Sequence, residues 1–408
     1  MQSPRQDDVH CQNWSETISF TVRGKISPRS EEEVVDLVRY ARQEGLTVRP
    51  IGSGHSSTPV MVTEDLLVSF ENMSGVTATD TDKCLATVLP GTGLEDLGKE
   101  LEDAGLALEN YGDVNYQTIA GAIGTGTHGT GERLRNVSAD LVGGRLVTGN
   151  GEVVPFGLDA GEATDSELTR AAQVSLGTLG IFTSLTLQVR PAYDLHRRNY
   201  ITHIDWALEN FDRLTSRYRL VDFYWYPRSD LAQIRVLDEP GNLDDLDIPG
   251  ELKTETRGPS HQIIPNDRQL KFDEIEYMLP REVGLDVFRK VRERVKRKHR
   301  KHVAWRVLVR TIAPDSAMLS NARERDTLTI ALLHNAALEH DEYFRDMEPL
   351  FLEAGGRPHW GKKHTRTAAH LREMYPEWDR FQEIRRELDP DGIFLNDYLR
   401  TLLGEDDR

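Results

Sequence analysis

The sequence predicts an α+β protein of two or three domains, and three observations carry that expectation. Its 408 residues exceed what one simple core needs. Helical and strand-like apolar patterns alternate through the first third, whereas aromatic and β-branched runs dominate beyond Pro191. Two strand-like runs feed glycine-rich turns, "RPIGSGHSS" (49–57) and "TIAGAIGTGTHGTG" (118–131), each carrying one histidine.

Ser30, followed three residues later by Glu33, reads as a capping box. Val34, Leu37, Val38 and Ala41 then form an apolar stripe ending at Gly45, so 31–44 is predicted as a helix. "LTVRPI" follows as a strand, then the glycine turn, then the strand "LLVSF". A second unit repeats the plan with the strand "LATVLPG", a helix from Leu94 to Asp103, and "AGLALEN". The stretch 118–131 holds five glycines in fourteen positions. Each glycine costs about 1 kcal/mol in a helix interior, so this stretch is predicted as a backbone-lined loop. "GRLVTGNGEVVPF" is a hairpin turning at Gly149 to Gly151, and "SLGTLGIFTSLTLQV" is a long β-rich run. A domain boundary is expected near Pro191. Beyond it, "VDFYWYPRSDLAQIRV" and "HVAWRVLVRTIAPD" read as strands, and the acidic "LDEPGNLDDLDIPGE" as a surface loop. Helices near 341–354 and 376–388 flank "GGRPHWGKKHTR".

A net charge of −17 argues against nucleic acid as a partner. The exception, "RKVRERVKRKHRKH" (289–302), carries nine Lys or Arg, but Val287, Phe288, Val291 and Val295 recur at helical spacing, so it reads as an amphipathic helix with a solvated basic face. The N-terminal "MQSPRQDDVHCQNW" lacks the pattern of a secretory signal, and no stretch approaches the ~20 apolar residues of a membrane span, so a cytoplasmic protein is expected. Cys11 and Cys84 are too few for a disulfide framework and are expected as free thiols.

Glycine turns that expose backbone N–H groups form anion nests, so the two loops suggest a cradle for a phosphate-bearing cofactor. "GTGTHG" matches the dinucleotide pattern by count only, and no P-loop Gly-Lys-Ser or Gly-Lys-Thr occurs. His55, His128, His359 and His364 lack helical ligand spacing, so no metal is predicted. On these grounds alone His55 is either a functional imidazole or a loop side chain bonded to a carbonyl.

"RPIGSGHSS", "AGAIGTGTHGTG" and "SLGTLGIFTSLTLQV" together resemble the FAD-binding domain of the vanillyl-alcohol oxidase superfamily. "FYWYPRSD", "IEYMLPRE", "GGRPHWGKKH" and "LDPDGIFLNDYL" narrow the resemblance to its sugar-1,4-lactone oxidase group, which includes gulonolactone, arabinonolactone and alditol oxidases. It implies a two-subdomain FAD-binding domain of PCMH type over 14–191, an α+β substrate domain with a large antiparallel sheet over 192–360, and a C-terminal segment, 361–408, returning to the FAD domain.

The resemblance also implies site residues. His55 would carry FAD through a single covalent 8α bond. Gly52, Ser53, Gly54, Ser56, Ser57, Gly112, Asp113, Thr118, Gly121, Thr125, Thr127, Gly129 and Ile181 would line the cofactor, and the small Gly112 would admit O2. His359 and Lys362 would sit beside the flavin, Lys362 near its N1 and the substrate hydroxyl, while Arg310, Lys362 and Asp113 would touch substrate. Three positions depart from the family pattern. Leu308 stands where a glutamate of a Glu-x-Arg pair belongs, and Ala331 and Leu333 replace a histidine and a threonine. Polar groups lost there cost roughly 1–3 kcal/mol each, so either the register differs or the substrate is less polar. Glu274 and Glu276 are spare carboxylates that point inward or lie on the sheet surface.

The implied activity is hydride transfer from an alcohol carbon of an aldonolactone to the flavin, with O2 reduced to hydrogen peroxide. A polyol or a less polar biosynthetic alcohol as substrate, a dehydrogenase using another acceptor, and a flavin-binding homologue without activity are the alternatives. Oligomeric state stays open.

Overall fold

The computed structural model describes residues 8–303 and 305–405; the first seven residues of the N-terminal reading, and Ala304 within the strand expected from His302, lie outside them.

The N-terminal part is built on two small sheets. Three parallel strands, in the order Gly24–Ile26, Leu66–Ser69, Val48–Ile51, pack against the helix Glu31–Glu44 through Val34, Leu37, Val38 and Ala41. That helix starts where the sequence predicts, with Ser30 Oγ accepting from Glu33 N–H at 3.3 Å, and stops at Gly45, whose φ of 67° suits glycine. Five antiparallel strands form the second sheet, in the order Val153–Gly157, Leu141–Val147, Ile181–Gln188, Leu85–Val88, Val76–Asp80. The hairpin expected around Gly149 to Gly151 joins its first two strands, and the helix Leu94–Asp103 has the predicted bounds.

One expectation fails within 118–131. Ile119–Gly124 is a six-residue helix, and the loop begins only at Thr125. Ile119, Ala122 and Ile123 are fully buried in one core, so tertiary packing outweighs the cost of Gly121 and Gly124 over this short span. A second correction concerns "LDEPGNLDDLDIPGE". Its acidic residues ride on a loop whose Leu243, Leu246 and Ile248 enter the core, so it is a packed cover and not a free surface loop.

Beyond Pro191 eight strands form one antiparallel sheet, in the order Glu251–Pro259, Asp194–His203, Leu231–Asp238, Leu220–Tyr226, Val307–Ile312, Thr327–Asn335, Phe272–Pro280, Arg357–Pro358. One face packs on the helices Ile204–Arg217, Arg281–Arg294 and Asp341–Leu352 through Phe223, Trp225, Ile275, Tyr277, Phe288, Leu332 and Phe351. The alternate residues, including Tyr224, Leu308, Leu333, Glu274, Glu276 and Arg310, face the other way. The basic stretch continues its helix into a π turn, Val295–His299. Its cations meet aspartates, with Arg292 2.7 Å and Lys296 2.6 Å from Asp230 and Lys298 2.8 Å from Asp346. The C-terminal segment packs on the N-terminal part: Gly149 N–H donates to Leu388 O and Val48 N–H to Ile393 O, both at 2.8 Å. Among the described residues no helix is long and apolar enough to cross a membrane.

Candidate active site

The polar face of the large sheet and the glycine loops enclose an open cavity with about 1370 Å³ of empty volume. Its position follows from one turn, 359–363. On one side the turn is tied to the strand Phe272–Pro280, with His359 N–H donating to Glu276 O and Lys363 N–H to Glu274 O, both at 3.0 Å. On the other it is tied to the first glycine loop, with Ser57 N–H donating to Gly361 O at 2.8 Å and Thr58 Oγ1 to Trp360 O at 3.1 Å.

The first loop leaves the strand Val48–Ile51 and reverses at Gly54, whose φ is 66°. A Cβ on Gly52 would lie 2.0 Å from Thr118 Oγ1, so the two loops meet at a distance only glycine allows. His55 is stacked on Trp14, with ring centroids 4.4 Å apart and planes 13° from parallel. Trp14 is itself fixed by its N–H bond to Gly54 O at 2.7 Å. Burial, helped by the Lys362 charge, brings the His55 imidazole down to about 3, so it is neutral, and its buried Nε2 has no hydrogen-bond partner. Arg49, fully enclosed beneath the loop, donates to Val60 O and Leu176 O at 2.8 Å, to Gly177 O at 2.9 Å and also to Phe394 O, tying this strand to the 175–177 loop and the C-terminal segment.

On the sheet side Arg310 donates to Glu276 Oε1 at 2.6 Å and to His128 O at 3.0 Å. Burial opposes the charge on Glu276, yet Arg310 and then His128 hold its carboxyl well below the usual carboxylate range. His128 Nε2 stands 3.3 Å from both Glu276 Oε1 and Arg310. His359 accepts from Gly361 N–H through Nδ1 at 3.0 Å, so its neutral ring carries the proton on Nε2. Burial brings His359 down to about 3 against the pull of Glu276. Lys362 is paired with Glu274, and burial lowers it to about 8.

The cavity thus gathers Gly52, Ser53, Gly54, His55, Ser56, Gly112, Asp113, Thr118, Gly121, Thr125, Thr127, Arg310, His359 and Lys362. Three expected cofactor contacts lie elsewhere. Ser57 bonds Gly361 behind the loop; Gly129 sits in tight packing where a Cβ would come 2.2 Å from Tyr111 O; and Ile181 is in the core, its neighbour Gly180 reaching the cavity instead. Asp113 reaches the cavity but is engaged by protein donors. It accepts from Tyr224 OH at 2.7 Å and from Asn266 and Arg268 Nε at 2.8 Å, with Arg235 3.1 Å away. Burial would raise its carboxyl; Arg268 and Arg235 overrule this and hold it well below the carboxylate range. It anchors that cluster and has little capacity left for a substrate hydroxyl.

The missing glutamate of the Glu-x-Arg pair has a structural answer. Leu308 pairs with Ala331 on the next strand, and Ala331 with Glu276 on the strand after it, so the three share one row. The carboxylate that meets Arg310 therefore comes from two strands away, across a methyl group. Both carboxylates left open by the sequence, Glu274 and Glu276, point into the cavity. Sequence reasoning gave no role to Phe272, Phe182 or the 175–177 loop, which also line it.

Of the four histidines weighed for metal, His128 and His359 converge, and with Glu276 their ligand atoms lie within 4.8 Å of one another. His55 and His364 are not in that group. Arg310 donates to the same glutamate, so the cluster already holds a cation.

A cavity lined by the backbone of glycine turns, by a neutral imidazole whose Nε2 has no partner and by the polar face of a sheet fits FAD. The family model described as "FAD binding domain" matches residues 22–157, and that described as "D-arabinono-1,4-lactone oxidase" matches 241–402. The chain is 37% identical to the L-gulono-1,4-lactone dehydrogenase of Mycobacterium tuberculosis, over 93% of this chain and 95% of that one. It is 28% identical to the L-gulonolactone oxidase of Bos taurus (97% and 98% covered) and 29% identical to the alditol oxidase of a Streptomyces species (96% and 98%). The fold is that of the cholesterol oxidase of B. sterolicum, with a TM-score of 0.83, 17% identity and 97% of each chain covered. The chain belongs to the FAD-dependent sugar-1,4-lactone oxidase family.

Proposed function

We propose that this FAD-dependent oxidoreductase acts on an aldonolactone of the L-gulono- or D-arabinono-1,4-lactone kind, oxidising one of its carbinol carbons, with dioxygen as electron acceptor. The observation that carries the reading is the group formed by Arg310 and Glu276 on the sheet face with His359 and Lys362 on the 359–363 turn beside it. A ring hydroxyl and a lactone carbonyl need donors, acceptors and a cation at close quarters, and this face presents all three.

In this reading the backbone of Gly52 to Ser56 and of the Gly121 to Thr127 stretch holds the pyrophosphate, and His55 carries the covalent tether. Bound FAD supplies the hydride acceptor. His359 Nε2–H donates to the substrate hydroxyl oxygen and Arg310 orients the lactone. Lys362, cationic at neutral pH, stabilises negative charge next to the cofactor. Leu308 and Leu333 give the sheet face an apolar strip that excludes water. The Gly112 position leaves room for dioxygen, and the mycobacterial relative, named a dehydrogenase, makes the acceptor worth measuring.

Peroxide release and oxygen uptake with L-gulono-1,4-lactone, D-arabinono-1,4-lactone and a polyol test the reading. It expects turnover with a lactone and one peroxide per product. Rapid dye reduction without peroxide would replace oxidase by dehydrogenase, and preference for the polyol would overturn the substrate class. Flavin that stays with acid-precipitated protein, and leaves it in His55→Ala, supports the tether.

A further inference from the structure

Oxidation of a carbinol removes a hydride and also a hydroxyl proton, and the proton must go to a base at the site. Glu274 is taken up by Lys362 and Asp113 by Arg268 and Arg235, which leaves four buried groups there: Glu276, His128, Arg310 and His359. Arg310 is a permanent donor. His359 spends its Nδ1 lone pair on Gly361 N–H and carries a proton on Nε2, so it too can only donate. Glu276 is held strongly ionised by Arg310 at 2.6 Å, which makes it a weak base.

His128 differs from all three. Its Nδ1 lies 3.0 Å from Gly129 O, and a carbonyl only accepts, so Nδ1 carries the proton and Nε2 of the neutral ring is unprotonated, accepting one long bond from Arg310 at 3.3 Å. The same nitrogen lies 3.3 Å from Glu276 Oε1, so it can exchange the Arg310 bond for a proton shared with that carboxylate. A proton placed on Nε2 turns this contact into a hydrogen-bonded imidazolium–carboxylate pair. Burial and Arg310 keep the ring neutral at rest, while Glu276 pulls the other way. The groups facing the ring are thus Arg310 and Glu276 from the sheet, His359 from the 359–363 turn, with ring centroids 5.6 Å apart, and the Gly129 carbonyl.

We infer that His128 is a catalytic residue of this family member, its Nε2 being the acceptor of the substrate's hydroxyl proton and Glu276 the partner that stabilises the imidazolium formed. The inference rests on the lactone reading of the site. The atoms balance: the C–H bond yields a hydride, which carries both electrons to FAD, the O–H bond yields its proton to Nε2 and leaves its electron pair to form the second C–O bond of C=O, and the imidazolium releases its proton to solvent before the next turnover.

The test is anaerobic stopped-flow reduction of the FAD-loaded enzyme by L-gulono-1,4-lactone across pH, for wild type, His128→Asn and Glu276→Gln. Asparagine keeps a donor for Gly129 O and removes the basic nitrogen; glutamine keeps an acceptor for Arg310 and removes the charge. Wild-type reduction should rise with pH through a value below the ordinary histidine pKa of ~6.5 and reach its plateau by neutral pH, below the range in which Lys362 loses its charge. H128N should reduce ~10²–10⁴-fold more slowly at neutral pH with that acid limb gone and its flavin content unchanged. E276Q should shift the limb to lower pH, because the carboxylate that favours the imidazolium is lost. H128N that reduces as fast as wild type, or that keeps the acid limb while E276Q loses it, overturns the inference. A wild-type flavin that lactone leaves oxidised overturns the substrate reading itself, a different and prior result.

Discussion

Arg310, on the strand Val307–Ile312, ends 2.6 Å from Glu276 on the strand Phe272–Pro280, with the strand Thr327–Asn335 between them. Both are buried, and the pair joins the sheet to the second glycine loop through the Arg310 bond to His128 O. Truncating either partner leaves the other charge enclosed and unpaired. Arg310→Ala or Glu276→Ala should each lower the unfolding free energy by ~3–5 kcal/mol, while Glu276→Leu with Arg310→Met together should cost far less than the sum. Urea denaturation of the four proteins measures this; additive costs would show that the charges do not couple.

Lys362 sets the alkaline side of the pH profile. Burial lowers it to about 8, so it is cationic below that value and neutral above it. If its charge stabilises the reduced cofactor, flavin reduction should slow as pH rises through 8, and Lys362→Arg, whose charge persists, should keep the rate level there. Lys362→Met should be ~10²–10³-fold slower at pH 7. Reduction that speeds up between pH 7 and 9 would point to the neutral amine instead.

Gly112 faces the Thr127 methyl, and a Cβ added to it would lie 3.1 Å from Thr127 Cγ2 and 3.3 Å from Val114 O, a fit that needs shifts of a few tenths of an ångström. Gly112→Ala should therefore fold. Its reoxidation by O2 should slow by at least tenfold, about 1.4 kcal/mol of barrier, with the anaerobic reduction rate unchanged. Equal slowing of both halves would mean that the methyl disturbs the cofactor rather than the route of oxygen. Gly129→Ala, with a Cβ 2.2 Å from Tyr111 O, should instead fail to accumulate as folded protein.

Trp14 holds the plane of His55 by stacking. Trp14→Ala should leave FAD binding intact while slowing formation of the tether, read as the fraction of flavin that stays with acid-precipitated protein over time. His55→Ala should show none at any time. A tether that forms at the wild-type rate without Trp14 would reduce the stack to packing.

Where the site was legible in the sequence, local chemistry made it so. The Ser30 cap, the Gly45 stop and the Gly54 turn are signals within a few residues, and the helix Glu31–Glu44 and the placing of His55 on the turn of the first loop follow from them. Ile119–Gly124 was hidden because its helix exists through burial of Ile119 and Ile123, a tertiary effect. Ile181 and Gly180 were confused by one residue, the usual uncertainty at the start of a strand. Glu276 was unreadable for a deeper reason. Glu274, Ile275, Glu276 and Tyr277 alternate, but the strand Phe272–Pro280 is covered on both faces, so alternation does not tell a cavity face from a solvent face, and the partner of Glu276 lies two strands away in space and 34 residues away in sequence.

The proposed function requires that the cavity between the glycine loops and the large sheet carry FAD and deliver a lactone's hydride to it. The most direct measurement is the flavin absorbance of the purified wild-type protein during anaerobic addition of L-gulono-1,4-lactone, followed by admission of air. Bleaching with one lactone oxidised per flavin is expected, then return of the colour with one peroxide formed. A flavin that keeps its full absorbance with every aldonolactone tried, or a protein that takes up no FAD, would contradict it.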